Sequence, residues 1–118
     1  MTSEEDVRDF LLRFNRSVEE SYLIVVPREK NLRIFTRLGL DIDDVEHFIR
    51  ELSVRQYSEG PLVDDDGSEG EIWIFGMRIQ MIDFYIKLKL SEDAKCLSFH
   101  AAEHLMEFPY EGIEDEDD

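Results

Sequence analysis

A chain of 118 residues with 42% apolar and 36% charged side chains has the material for one folded domain and is too apolar for general disorder. Its formal net charge of −16 is opposite in sign to that of proteins that hold nucleic acid by bulk electrostatics. No run approaches the roughly 20 apolar residues of a membrane span, and the start MTSEEDVRDF lacks a basic-then-apolar leader pattern. The single cysteine, Cys96, excludes an internal disulfide and fits a reducing cytoplasm, the expected location.

The charge is unevenly spread. Residues 111–118 (EGIEDEDD) hold six acids and residues 64–71 (DDDGSEGE) five, with no base in either. Without these eleven the remainder carries only −5. A single domain over 1–110 is expected, followed by a disordered acidic tail over 111–118. Such runs either serve as solvated segments that keep the chain soluble or compete with nucleic acid for a basic site.

Ser3 is placed to cap a first helix, with Glu4, Glu5 and Asp6 at its positive end. Val7, Phe10, Leu11, Phe14 and Val18 then form one apolar stripe. Tyr22–Val26 reads as a strand stopped by Pro27, which has no N–H for a ladder. Asn31 is the expected cap of a short helix carrying Leu32, Phe35 and Leu38 and closed by Gly39. Asp41 and Asp44 open a third helix with Val45, Phe48, Ile49 and Leu52 inward and His47 partly exposed. Residues 53–70 lose periodicity, gather Gly, Pro and Asp, and are expected to form a long loop.

The last third is organised as a sheet. In Asp83–Leu90, Phe84, Ile86, Leu88 and Leu90 share one face, and Asp83, Tyr85, Lys87 and Lys89 share the other. In the next strand Leu97 and Phe99 are expected to point inward, with Cys96, Ser98 and His100 opposite. Ser91–Lys95 is a polar turn, so the two strands should form a hairpin. Matching core sides then puts Tyr85 and Lys87 beside Ser98 and His100. Helices first and sheet last give an α+β class, with N-terminal helices packed on a twisted antiparallel sheet.

Basic and phenolic groups on one face suit an anionic substrate. RNA supplies its own nucleophile, the 2′-OH, so cleavage needs a base, an acid and cations for the phosphorane charge, and no cofactor. His100 fits a proton role, Lys87 and Lys89 can neutralise phosphate, and Tyr85 can donate a hydrogen bond or stack. Tyr57 and Trp73 are further candidates for stacking on bases, and Ser98 for polar contact. Lys and Tyr are also ordinary solvent-side residues of an antiparallel sheet. His100-Ala-Ala-Glu103-His104 matches the inverted zinc-protease pattern, but that pattern needs a helix and His100 ends a predicted strand, so no metal is expected.

The segments LGLDIDDVEHFIREL, VRQYSEGPL, IWIFGMRI, FYIKLKL and CLSFHAAEHLMEFPY, in this order over residues 6–110, resemble the MqsR (motility quorum-sensing regulator) family of toxins. The resemblance implies a RelE-like fold, metal-independent cleavage of mRNA, and a cognate antitoxin protein as partner. It implies site roles for Tyr85, for Lys87 two residues on, for His100 after its Ser-Phe pair, and for Tyr57 in the loop before the sheet. It also has departures. Ser58 stands where the founding branch has a catalytic lysine, and Ile74 where that branch has a glutamine. These departures and the charge of −16 keep open a different class: a non-catalytic acidic module that docks a basic protein or mimics nucleic acid.

Overall fold

Ser3 accepts from the backbone N–H of Asp6 while the Asp6 carboxylate accepts from the N–H of Ser3, a reciprocal cap that fixes the start of helix α1 (Glu4–Glu20). Val7, Phe10, Leu11, Phe14 and Val18 are all buried, as their spacing predicts. The computed structural model describes residues 2–113.

After α1 the chain runs through strand β1 (Leu23–Val25), helices α2 (Glu29–Leu38) and α3 (Ile42–Arg50), and a short 3₁₀ turn (Val54–Gln56). Strands β2 (Tyr57–Leu62), β3 (Glu71–Ile79), β4 (Ile82–Leu90) and β5 (Ala94–Ala101) follow. The class is α+β. The five strands form one sheet in the order β1-β5-β4-β3-β2. Three pairings are antiparallel, but β1 pairs parallel with β5, so the sheet is mixed rather than antiparallel. The strand that Pro27 ends is only three residues long, and it reaches β5 through two helices and three strands instead of a hairpin.

Asp41 and Asp44 cap α3 in the same reciprocal way as Ser3 and Asp6, and Gly39 closes α2 at φ 69°. His47 is exposed, with Nε2 3.3 Å from Glu51. Asn31 is not a cap. The helix starts three residues earlier than that cap would place it, at Glu29 with Arg28 as its N-cap, and Asn31 is fully buried within it. Its carboxamide donates to the carbonyls of Val26 (2.8 Å) and Leu97 (3.1 Å) and accepts from the N–H of Phe99 (2.8 Å). Ile34 takes the buried place expected of Leu32, which is 49% exposed.

The stretch 53–70 is less of a loop than expected. It holds β2, whose register against β3 is broken twice, and a strand with such breaks leaves no clean period-two pattern. β5 carries a bulge. Lys87 faces Ser98, whereas Leu88 faces Cys96, so Leu97 is an extra residue. The expected alternation therefore fails at Cys96, which joins Leu88 in the core. Burial pushes its thiol up to about 12, as suits a packing residue.

The helices cover one sheet face, where Phe10 stacks on Trp73 at 4.7 Å and Phe99 packs against Phe35, Phe48 and Phe84. Beyond β5 the chain turns across the end of the sheet. Tyr110 stacks on Tyr57 and donates to the carbonyl of Thr2 at 2.5 Å, and Ile113 packs on the core. Of the acidic tail, residues 114–118 lie outside the described residues.

Candidate functional site on the open sheet face

On the face away from the helices, strand register decides which side chains meet. Tyr85 is paired with His100 on one side and Gly76 on the other. Lys87 is paired with Ser98 and Ile74, and Ile74 with Glu59. Residues paired across strands share a face, so Tyr85, Lys87, Ser98 and His100 form one four-residue patch. This grouping is the one the alternation predicts. Tyr85 and His100 are half-buried with ring centroids 5.6 Å apart and planes 19° from parallel.

The patch has walls. An added Cβ at Gly76 would lie 2.6 Å from the Phe108 ring and 3.1 Å from the Met106 sulfur, so the C-terminal segment rests directly on β3 beside Tyr85. Opposite, Arg28 at the start of α2 reaches over β5 and donates to Ser98 Oγ in a long contact of 3.5 Å. Burial raises the Tyr85 phenol above its ordinary value; the Glu59 carboxylate adds to the rise and the Arg28 guanidinium opposes it. Tyr85 is therefore a neutral hydrogen-bond donor throughout the physiological range.

His100 Nδ1 lies 2.9 Å from the carbonyl oxygen of its neighbour Ala101. A carbonyl can only accept, so this contact holds the proton on Nδ1 and leaves the Nε2 lone pair as the basic position. Among the described residues no carboxylate lies within ion-pair distance of Lys87 or Arg28.

Ser98, expected to contact substrate, is only 5% exposed beneath Arg28. Three further residues expected at this face are committed elsewhere. Lys89 is only 6% exposed, and its ammonium donates to Asp64 Oδ2 (2.8 Å) and Ser68 Oγ (2.5 Å) in the acidic segment after β2. The Lys89 ammonium, with the Asp66 N–H behind it, holds the Asp64 carboxyl down at about 2. Tyr57 is buried and its hydroxyl donates to the Gly60 carbonyl at 2.7 Å. Trp73 is 2% exposed, stacked under Phe10, and its Nε1 donates to Glu71, which is itself forked by Arg13. Neither ring can receive a base. Both belong to the core because β2 and the first half of β3 present their aromatic sides to α1.

Arg28 is the residue that sequence reasoning missed. It follows Pro27 at a strand-to-helix junction, where no periodicity indicates direction. The available signal was local charge, since positions 28–37 hold four cations and one acid. The His100-Ala-Ala-Glu103-His104 pattern runs from β5 into an irregular bend rather than along a helix, and among the described residues no three His, Cys, Asp or Glu side chains are grouped to hold a metal ion.

The arrangement can bind an anion between Arg28 and Lys87, offer a phenol proton from Tyr85, and accept a proton at His100 Nε2. Comparison of this chain with protein-family models, with curated proteins and with solved structures gives no match.

Proposed function

We propose that this chain is a toxin-like endoribonuclease of the MqsR type on a RelE-like fold, which cleaves single-stranded mRNA in the cytoplasm without a metal ion and is held in check by a cognate antitoxin protein. The observation that carries the reading is the stacked Tyr85–His100 pair with Lys87 and Arg28 beside it on the sheet face away from the helices. The order of the MqsR-like motifs in the sequence supports it.

In this reading the scissile phosphate sits between Lys87 and Arg28. His100 Nε2 takes the 2′-OH proton, and the 2′-oxygen attacks phosphorus. The P–O5′ bond breaks, water protonates the leaving 5′-oxygen, and a 2′,3′-cyclic phosphate remains. Lys87 and Arg28 neutralise the phosphorane oxygens as charge grows on them. Tyr85 acts twice: its hydroxyl donates to a non-bridging oxygen, and its ring face stabilises the imidazolium that His100 becomes. Ser58 and Ile74 leave this site without the additional lysine and glutamine of the founding branch, so His100 carries the proton transfer.

The test is incubation of the purified chain with a long RNA in EDTA, with analysis of product ends. Cleavage leaving 2′,3′-cyclic phosphates, reduced by about 10²–10⁴ in His100→Ala, is expected. A folded, antitoxin-free chain that leaves RNA intact, with or without residues 111–118, would return the protein to the class of non-catalytic binding modules.

A further inference from the structure

Helix α2 is the exception to the acidity of this protein. With its N-cap it carries Arg28, Lys30, Arg33 and Arg37 against the single acid Glu29, in a chain whose net charge is −16. All four cations are exposed. Lys30, Arg33 and Arg37 stand at i, i+3 and i+7, a spacing that places them along one helix face over about 10 Å.

That face looks onto a cleft of about 240 Å³ between α2 and the end of β5, floored by Ile34 and closed on the far side by His100 and Glu103. The cleft thus shares His100 with the site described above. Its one acid from the β5 side is Glu103, which is bound to Lys30 at 2.5 Å. Lys30, and at longer range His100 and His104, hold the Glu103 carboxyl below its usual range. Both members of this ion pair are more than half exposed, and such pairs are weak and exchange readily for another anion. Among the described residues Arg33 pairs only with Glu29 one turn earlier, also at the surface. Among the described residues Arg37 has no carboxylate within ion-pair distance.

We infer that the α2 cleft is a phosphodiester track that continues the RNA site past His100, in which Arg33 and Arg37 hold backbone phosphates of the nucleotides flanking the scissile bond and Glu103 is an internal competitor that a phosphate displaces from Lys30. The inference rests on the RNA reading for its ligand, but it concerns residues that do not take part in proton transfer. Guanidinium forks match phosphate oxygens two at a time, so a row of arginines suits a backbone better than a single small anion. Local positive charge on one helix also explains how a chain of net negative charge can hold a polyanion: the binding field is set within a Debye length of about 8–10 Å, not by the molecular total.

The experiment measures fluorescence anisotropy of a labelled single-stranded 2′-O-methyl oligoribonucleotide, which cannot be cleaved, against salt. Arg33→Gln/Arg37→Gln should bind at least about tenfold more weakly. The slope of log affinity against log salt should fall by about 0.7 for each phosphate contact removed. Glu103→Gln should bind more tightly than the parent. All three residues are exposed, and unchanged thermal melts confirm that each variant is folded. Parental affinity and slope in both variants overturn the track, even if the parent cleaves RNA. Loss of poly-glutamate binding by the double variant, with oligoribonucleotide binding intact, assigns the face to an acidic protein instead and likewise overturns it. Arginine-dependent binding by a parent that leaves long RNA uncut upholds the track and removes only the nuclease reading.

Discussion

The imidazole of His100 lies nearly parallel to the phenol ring of Tyr85, with centroids 5.6 Å apart and planes inclined by 19°. The two side chains come from adjacent antiparallel strands in direct register, so the backbone ladder holds the stack in place. The contact links two chemical properties. The ring face of Tyr85 is held against the imidazole of His100, and the hydroxyl of the same residue is kept neutral by burial.

Separating these contributions gives the first prediction. Tyr85→Phe keeps the stack and removes the hydroxyl, so single-turnover RNA cleavage should fall by about a hundredfold. Tyr85→Leu removes both and should fall further. Cleavage by Tyr85→Phe at the parental rate would remove the phenol from the mechanism.

Alkaline titration tests the environment of the same residue. In tyrosinate absorbance, the part of the signal lost in Tyr85→Phe should titrate above the ordinary value of 10. The folded value is the higher one, so the stability it reflects is present below pH 10 and is lost as pH rises through the folded value. Titration of that signal at or below the ordinary value would show that Tyr85 is more solvated than its half-buried position implies.

The Lys89–Asp64 pair ties the acidic segment 63–70 to the sheet. The carboxyl of Asp64 is lowered from 3.8 to about 2 by Lys89, so its contribution is complete above 3.8 and lost as pH falls through about 2. Amide exchange within 63–70 should therefore rise in that acid window. In Asp64→Asn it should already be fast at neutral pH. Slow exchange in Asp64→Asn would mean that backbone contacts alone hold the segment.

Asn31→Ala removes three side-chain hydrogen bonds and leaves two carbonyls and one N–H of the β1–β5 junction without them. The expected loss of stability is about 3 kcal/mol, measured by urea unfolding. A loss under about 1 kcal/mol would show that water replaces the carboxamide. Asn31→Asp should be worse than its size suggests, because a carboxylate would face the Val26 and Leu97 carbonyls.

The β3–β4 hairpin turns through Gln80 and Met81, both at positive φ (51° and 68°), a conformation that Asn-Gly adopts with less strain. Replacing Gln80-Met81 with Asn-Gly should stabilise the chain by about 1 kcal/mol, after the larger unfolded-state freedom of glycine is subtracted. A melting temperature higher by about 4 °C is the expected reading. The turn lies on the far side of Arg78 and Asp83 from Tyr85, so RNA cleavage should be unchanged.

Much of this molecule was legible because local rules act over a few residues. The caps at Ser3 and Asp41, the stop at Gly39 and the stripe from Val7 to Val18 depend on neighbours within one or two turns, and all are present. The Tyr85–Lys87–Ser98–His100 patch was legible for a similar reason, since β4 and the end of β5 alternate cleanly and a short turn joins them. Residues governed by distant segments were not legible. Asn31 resembled a cap because asparagine favours caps, but the bulge sixty-six residues later supplied better partners. The same bulge carried Cys96 across to the core.

By itself, the sequence determined where α1 and α3 start, where α2 stops, that β4 alternates, and that one sheet face would gather a phenol, an ammonium and an imidazole. These follow from dihedral preferences and from the two periodicities of 3.6 and 2 residues. Only the tertiary structure decided which candidates reach solvent. It buried Tyr57 and Trp73 against α1 and Tyr110, enclosed Lys89 with Asp64, and brought Arg28 over Ser98. Burial and pairing between segments depend on how elements pack, and a residue's own neighbours in the chain do not encode what will lie on top of it.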